Sequence, residues 1–289
     1  MGFGQPLRRD RADYREDYVE SYWRDGFAII RGLFSPDEIV EIGAAADQVH
    51  AEGAAHGRSF RHGNLFYNVA SGPGGEPLVR MAQWMSYHQP VLNAVRLDRR
   101  IAAILDPLIG PNLKQIINQI HWKAPGPSND FAWHQDSRFR EPREAFRNLG
   151  TSYVQTGLAI DPHTPTSGCL RVVPGSHLRG SLDLDCSGEV LGNAMSDETL
   201  RAVGLPPADV IELVMAPGDF ALWSPYLVHG SGENKEQHRR RFYINGYVRA
   251  ADCDRGEWAF RGQPVPFGPK QALVHYEALR ERPEPHYPS

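Results

Sequence analysis

His134 and Asp136 stand two residues apart in FAWHQDSRF (131–139), both good metal ligands, with aromatic residues on either side. At the end of a β-strand, residues i and i+2 project to one face, so imidazole and carboxylate would point together while Gln135 turns away. Two ligands do not hold a catalytic metal firmly, and a third must come from elsewhere in the chain. Among the 12 histidines, His121, His163 and His177 can each be offered. His229, in GDFALWSPYLVHGSGEN, follows a β-rich run and precedes a glycine-rich turn, and what comes after it sets it apart. Two imidazoles and one carboxylate on one face would leave three adjacent positions of an octahedral Fe(II) open.

What comes after His229 is Arg240. Read as a strand, RRRFYINGYV puts Arg240, Phe242 and Ile244 on one face and Arg239, Arg241 and Tyr243 on the other. An arginine on an apolar face is costly to bury unless it is paired, and no acid stands near it on that face. A small-molecule carboxylate would fit its bidentate fork. Taken alone, Arg240 reads better as a surface arginine whose stem covers apolar neighbours.

The elements that must position these residues fall into two textures. Helical patterns over 11–25, 35–53 and a pair within 84–109 make a helical part of about 11–110, interrupted by GFAIIRGLF (26–34), a short buried strand. Ser35, Pro36 and Glu38 form a helix start with a capping box, and Gly53 marks its stop. Residues 54–80, rich in Gly, His and Asn, read as an irregular segment. From about 112 to 250, short β-forming runs alternate with Gly, Pro and Asn clusters, the pattern of an antiparallel sandwich or barrel. The proline-rich stretch 251–289 reads as an irregular wrap around it. All 289 residues are expected to form a single α+β domain.

Composition narrows the function classes. With a net charge of −4 and scattered basic residues, the chain lacks the footprint of a nucleic-acid binder. It has no apolar run long enough to span a membrane, and its first twenty residues lack the apolar core of a signal peptide. Cys169, Cys186 and Cys253 are too few and scattered for a disulfide framework. The expectation is a cytoplasmic protein, monomer or homodimer, that handles a small molecule.

Taken together, His134-X-Asp136, GCLRVVPGSH (168–177), His229-X-Ser231-X-X-Asn234 and Arg240 resemble the phytanoyl-CoA dioxygenase family of Fe(II)/2-oxoglutarate oxygenases, which includes ectoine hydroxylase. GFAIIRGLFSPDEI and ILDPLIGPNLKQ add to the likeness, which covers roughly 14–250. The resemblance implies a double-stranded β-helix (jelly-roll, cupin-like) barrel with helices packed on one sheet. It implies that His134, Asp136 and His229 hold iron, that Arg240 grips the distal carboxylate of 2-oxoglutarate with help from Ser231, and that Gln119 and Gln155 touch the co-substrate. His121 shares a face with Gln119. Gly157 stands where some relatives carry tryptophan, which implies a roomier pocket. O2 is the second co-substrate, and succinate and CO2 are co-products. Because Asp136 keeps the carboxylate that halogenating relatives replace with a small residue, hydroxylation is the default. Desaturation, epoxidation and ring closure use the same oxidant.

Substrate-contact candidates are Arg138 and Phe139 after the metal motif, Trp223 before His229, and His62, Asn64 and Tyr67 from 54–80. Arg138 is favoured over Arg140 because it shares strand parity with His134 and Asp136. Residues 54–80 and SRFREPREAFRN are expected to meet over the metal as lids. GCLRVVPGSH is read as scaffold, with Ser176 capping locally and His177 structural. Two rival readings remain: a cupin-like zinc or manganese hydrolase or isomerase, which leaves Arg240 unexplained, and a catalytically inactive ligand binder.

Overall fold

The computed structural model describes residues 17–126, 130–184, 190–191, 193–274 and 284–288. Its elements run in the order α1 (Asp17–Asp25), β1 (Phe27–Ile30), α2 (Pro36–Ala55), β2 (Phe60–His62), β3 (Leu65–Ser71), β4 (Pro77–Gln83), α3 (Pro90–Arg96), α4 (Arg99–Ile109) and β5 (Asn112–Lys123). There follow β6 (Phe131–His134), α5 (Leu149–Ser152), β7 (Tyr153–Ala159), β8 (Leu170–Val172), α6 (Asp197–Ala202), β9 (Ile211–Leu213), β10 (Phe220–Trp223), β11 (His229–Ser231), β12 (Arg240–Arg249) and β13 (Glu257–Arg261).

The helices begin where their caps are. Ser35 takes the extended conformation and its hydroxyl accepts from the Glu38 backbone, while the Glu38 carboxylate accepts from the Ser35 N–H at 2.8 Å. This reciprocal pair satisfies two N–H groups that the first turn leaves without partners. Ile39, Ile42, Ala46 and Val49 then recur at helical spacing and are buried. The helix does not stop at Gly53 as expected but runs on to Ala55. Gly53 is needed for close packing instead, since a Cβ there would sit 2.8 Å from Cδ1 of Tyr67 on β3.

Nine strands form one antiparallel sheet in the order β1-β10-β7-β12-β5-β4-β3-β2, with β13 also pairing with β5. A four-stranded sheet runs β6-β11-β8-β9. Alternation along each strand gives the large sheet two different faces. Tyr243, Tyr247, Ile120 and Leu158 turn toward α2 and α4 and join Ile42, Val49, Ile101 and Leu105 in one apolar core. Phe242, Trp223 and Ala159 turn the other way and meet Leu170, Val172 and Leu213 of the small sheet. The functional residues lie between the two sheets. No helix among the described residues is long and apolar enough to cross a membrane.

Two expectations need correction. Residues 54–80 are not an irregular segment: β2 and β3 form a hairpin that β4 joins to β5 at the edge of the large sheet. Gly63, at φ 58°, makes the tight turn between Phe60–His62 and Leu65–Ser71. The stretch 251–289 is also not wholly irregular, because β13 pairs with β5, while 275–283 lie outside the described residues. Residues 11–16 of the first helical pattern and Cys186 lie outside them too. Cys169 and Cys253 are free and buried.

Candidate metal centre

β6 and β11 are antiparallel neighbours, and their register sets His134 directly opposite His229. The two imidazole rings lie 4.1 Å apart, centroid to centroid. Asp136 is not on the strand. It opens a 3-10 turn, Asp136–Phe139, that carries its carboxylate back to the same place, with Oδ2 3.7 Å from His229 Nε2. One ligand atom from each of the three residues lies within 4.8 Å of the others, and all three residues are buried.

Backbone carbonyls decide which ring nitrogens face inward. Nδ1 of His134 lies 2.7 Å from the Ala132 carbonyl, and Nδ1 of His229 lies 2.9 Å from the Leu227 carbonyl. A carbonyl only accepts, so both Nδ1 atoms carry the proton and both Nε2 atoms keep a free lone pair. Burial, with His229 adding to it, pushes the His134 imidazole down to about 3, so it is neutral and able to ligate. Burial alone would raise the Asp136 carboxyl. His229, His134, Arg140 and the Trp223 N–H outweigh it and hold the group below its ordinary value, as the anion a cation needs. Two imidazole nitrogens and one carboxylate on one side of a point are the donor set that suits Fe(II).

The scaffold reading of GCLRVVPGSH holds for Leu170 and Val172, which pack between the sheets. Ser176 does not cap locally: its hydroxyl accepts from the Val228 N–H at 2.9 Å and so fixes the backbone beside His229. His177 lies away from the metal group, with Nε2 3.1 Å from the Trp23 carbonyl.

Arg240 follows from the strand register. β12 pairs with β5 so that Arg240 faces Lys123, Phe242 faces His121 and Ile244 faces Gln119. Arg239 and Arg241 turn outward to Asp47 and Asp161, as the alternation predicts. Arg240 is buried, its Nη1 lies 3.2 Å from His163 Nδ1, and its Nε has no hydrogen-bond partner. No carboxylate among the described residues forms a salt bridge with it. Burial lowers its pKa to about 10. Nearby Lys123 is buried as well, donating to the Gly232 carbonyl at 2.6 Å, and burial together with Arg240 pushes it down to about 6. His121 has both ring nitrogens buried without partners, and burial reinforced by Arg240 takes it to about 3. A patch this rich in donors, in which no described carboxylate forms a salt bridge with Arg240 or Lys123, is chemically matched to a carboxylate.

A cavity of about 460 Å³ joins Arg240 to the metal group. Of the candidates, Ser231, Gln119, Gln155, Phe139 and Trp223 line it. Five candidates do not. Arg138 is exposed outside it, and Arg140 lines it instead, because a 3-10 turn does not keep strand parity. Tyr67 packs into the helix-side core, with its hydroxyl donating to Glu52. Asn64 donates to the Tyr87 hydroxyl and the Ala272 carbonyl, and His62 lies exposed at the end of β2. From that hairpin it is Arg61 and Asn68 that reach the cavity. Gly157 opens no extra room, since the ring of Phe242 already occupies the space its Cβ would take. Alternation about the turn at Gly63 would have found Arg61 and Asn68. His163, 77 residues from Arg240, gives no local signal.

Residues 22–242 match the phytanoyl-CoA dioxygenase (PhyH) family. The chain belongs to that family. It is 24% identical over 233 residues to the dioxygenase lolE1 of Epichloe uncinata, covering 79% of this chain and 80% of that protein. It is 32% identical over 139 residues to the methylphosphonate hydroxylase of Gimesia maris, covering 48% and 46%. Among solved structures it resembles EctD from S. alaskensis with 2-oxoglutarate and 5-hydroxyectoine, with a TM-score of 0.64, 20% identity and coverage of 90% and 86%. It also resembles the epimerase SnoN in complex with Fe3+, alpha ketoglutarate and nogalamycin RO, with a TM-score of 0.61, 20% identity and coverage of 93% and 98%.

Proposed function

We propose that the protein is an Fe(II)- and 2-oxoglutarate-dependent oxygenase, built as one double-stranded β-helix domain, that hydroxylates a small molecule. The observation that carries this reading is the pairing, in one cavity, of a His-Asp-His group with a buried arginine that has no carboxylate partner among the described residues. A hydrolytic zinc site would use the three ligands but leave Arg240 buried without purpose.

The residues divide the work. His134, Asp136 and His229 hold the metal on one side and leave its other side to the cavity. Arg240 receives the distal carboxylate of 2-oxoglutarate, with Ser231, on the facing four-stranded sheet and lining the same cavity, as a hydroxyl donor. Gln119 and Gln155 face the same space and orient the co-substrate and substrate. Bound together, iron, 2-oxoglutarate and O2 supply the oxidation, with succinate and CO2 as co-products. Phe139, Trp223 and Phe242 surround the centre with apolar surface and keep water from it.

The test is succinate formation from 2-oxoglutarate by the purified chain under Fe(II) and air. Turnover that is lost in both Asp136→Ala and Arg240→Leu is the expected result. A wild-type chain that binds Fe(II) but neither binds nor consumes 2-oxoglutarate would refute the reading.

A further inference from the structure

Among the described residues, the cavity beside the metal group is lined by Arg61, Arg140 and Arg240 and by a single carboxylate, Asp136. On the reading proposed above, the charges of Fe(II) and Arg240 are matched by Asp136 and the two carboxylates of 2-oxoglutarate. Arg61 and Arg140 are left over. Neither forms a salt bridge with a described residue.

Arg140 is the better placed of the two. It is 95% buried, at 5% relative exposure, and its Nε has no hydrogen-bond partner. Its guanidinium lies 5.2 Å from the ring centroid of Tyr153, whose hydroxyl in turn donates to Gln155 on the cavity wall. That stacking holds the group in place without neutralising it. Arg140 also stands four residues past Asp136, as the residue that closes the turn the metal motif opens, so the local backbone sets its place beside the metal group. Arg61 lies in the wall too, over the Phe66 ring at 4.2 Å and with Nη1 3.4 Å from the Gly63 carbonyl. Burial lowers it to about 10. The rest of the wall is largely apolar, with Met81, Ile117, Phe131 and Leu191 among its members.

From this arrangement we infer that the substrate is an amphipathic anion. Its carboxylate, phosphate or phosphonate sits on the Arg140 guanidinium, and its apolar body lies over the metal. Arg140 is a substrate-anchoring residue, and Arg61 adds to the positive field from the hairpin side. A bidentate guanidinium contact also fixes orientation, and so selects which carbon faces the metal.

The experiment uses the full chain, loaded with Fe(II) under anaerobic conditions and saturated with 2-oxoglutarate. Hexanoate, hexylphosphonate and hexan-1-ol are titrated into it calorimetrically, after 2-oxoglutarate itself has been titrated. At least one of the two anions should bind about tenfold or more tighter than the alcohol, and Arg140→Gln should remove that advantage while the alcohol still binds. Which anion wins identifies the head group as carboxylate or phosphonate. Arg140→Met, which keeps the bulk of the stem, replaces the glutamine variant should that one fail to fold. If the alcohol binds as tightly as both anions, or if the anions keep their advantage without Arg140, the inference is wrong. If 2-oxoglutarate does not bind but the anions still depend on Arg140, the proposed co-substrate falls and the anchor stands.

Discussion

The indole of Trp223 donates from Nε1 to Oδ2 of Asp136 at 2.8 Å, reaching from β10 to the turn that follows β6. The same oxygen lies 3.7 Å from His229 Nε2, so the indole fixes the carboxylate rotamer that completes the metal group. Trp223 was expected to touch substrate, and it does line the cavity, but its hydrogen bond gives it a positioning role as well. Trp223→Phe keeps an aromatic ring and removes the donor. Metal affinity should fall about 10–100-fold with the fold retained, measured by anaerobic Fe(II) titration and circular dichroism. Unchanged affinity would mean that the indole does not orient Asp136.

Metal binding should stabilise the folded chain, because the three ligands converge only when β6 and β11 are paired. At a metal concentration 100 times the dissociation constant the gain is about 2.7 kcal/mol, and it should appear as a raised melting temperature that a chelator reverses. Asp136→Ala should lose most of that shift. A shift of the same size in the variant would remove Asp136 from the ligand set.

Arg240→Leu should weaken 2-oxoglutarate binding by ~2–5 kcal/mol, the cost of breaking a buried charge pair. Calorimetry on the anaerobic Fe(II) protein reads this directly. Metal affinity should be unaffected, since Arg240 is not among the ligands. Intact 2-oxoglutarate binding in the variant would put the co-substrate carboxylate elsewhere.

Gly53→Ala sets helix propensity against packing. Alanine gains up to about 1 kcal/mol in a helix interior. Here its methyl would meet Tyr67 Cδ1 at 2.8 Å and Val79 Cγ1 at 3.1 Å, and overpacking costs ~1–3 kcal/mol. Urea denaturation should therefore show net destabilisation, and a gain in stability would show that α2 can shift off the sheet.

The Glu38 carboxylate gives an acid-sensitive contribution to stability. Burial opposes its charge, but Arg100 and Ser35 outweigh that and hold it below the ordinary 4.5. A group depressed on folding stabilises the protein above its unfolded value, and that contribution is lost as pH falls toward the folded value. Wild type should thus lose stability faster than Glu38→Gln below about pH 4.5, although the variant is the less stable at neutral pH. Parallel melting-temperature profiles for the two proteins below that pH would contradict this.

The metal group was legible because its chemistry is local: His134 and Asp136 are two apart, and Arg240 announces itself as a charge on the apolar face of a strand. The family resemblance joined them to His229, and the register of β6 against β11 sets that residue opposite His134. What failed was parity. The chain leaves extended geometry after Gln135 and enters a 3-10 turn at Asp136, so the alternation extended to Arg138 is broken there and Arg140 returns to the cavity. In the hairpin the miss has the opposite cause: regular alternation was present but hidden behind glycines. Its true faces put Arg61 and Asn68 inward where His62 and Tyr67 were expected. His163 was beyond local reading, since only the meeting of distant segments brings it to Arg240.

Phe242 leans over Gly157 from the neighbouring strand, and the ring fills the room that a side chain on β7 would need. The two positions therefore share one allotment of space. Bulk can be supplied from β7 or from β12, but not from both without strain, and removing it from both leaves a void. A large-for-small exchange at 157 is tolerable only with the reverse exchange at 242. Such a swap would move the bulk in the cavity wall sideways by one strand at nearly constant volume. Neighbouring β-strands can in this way reshape what the site accepts while the metal ligands stay where they are.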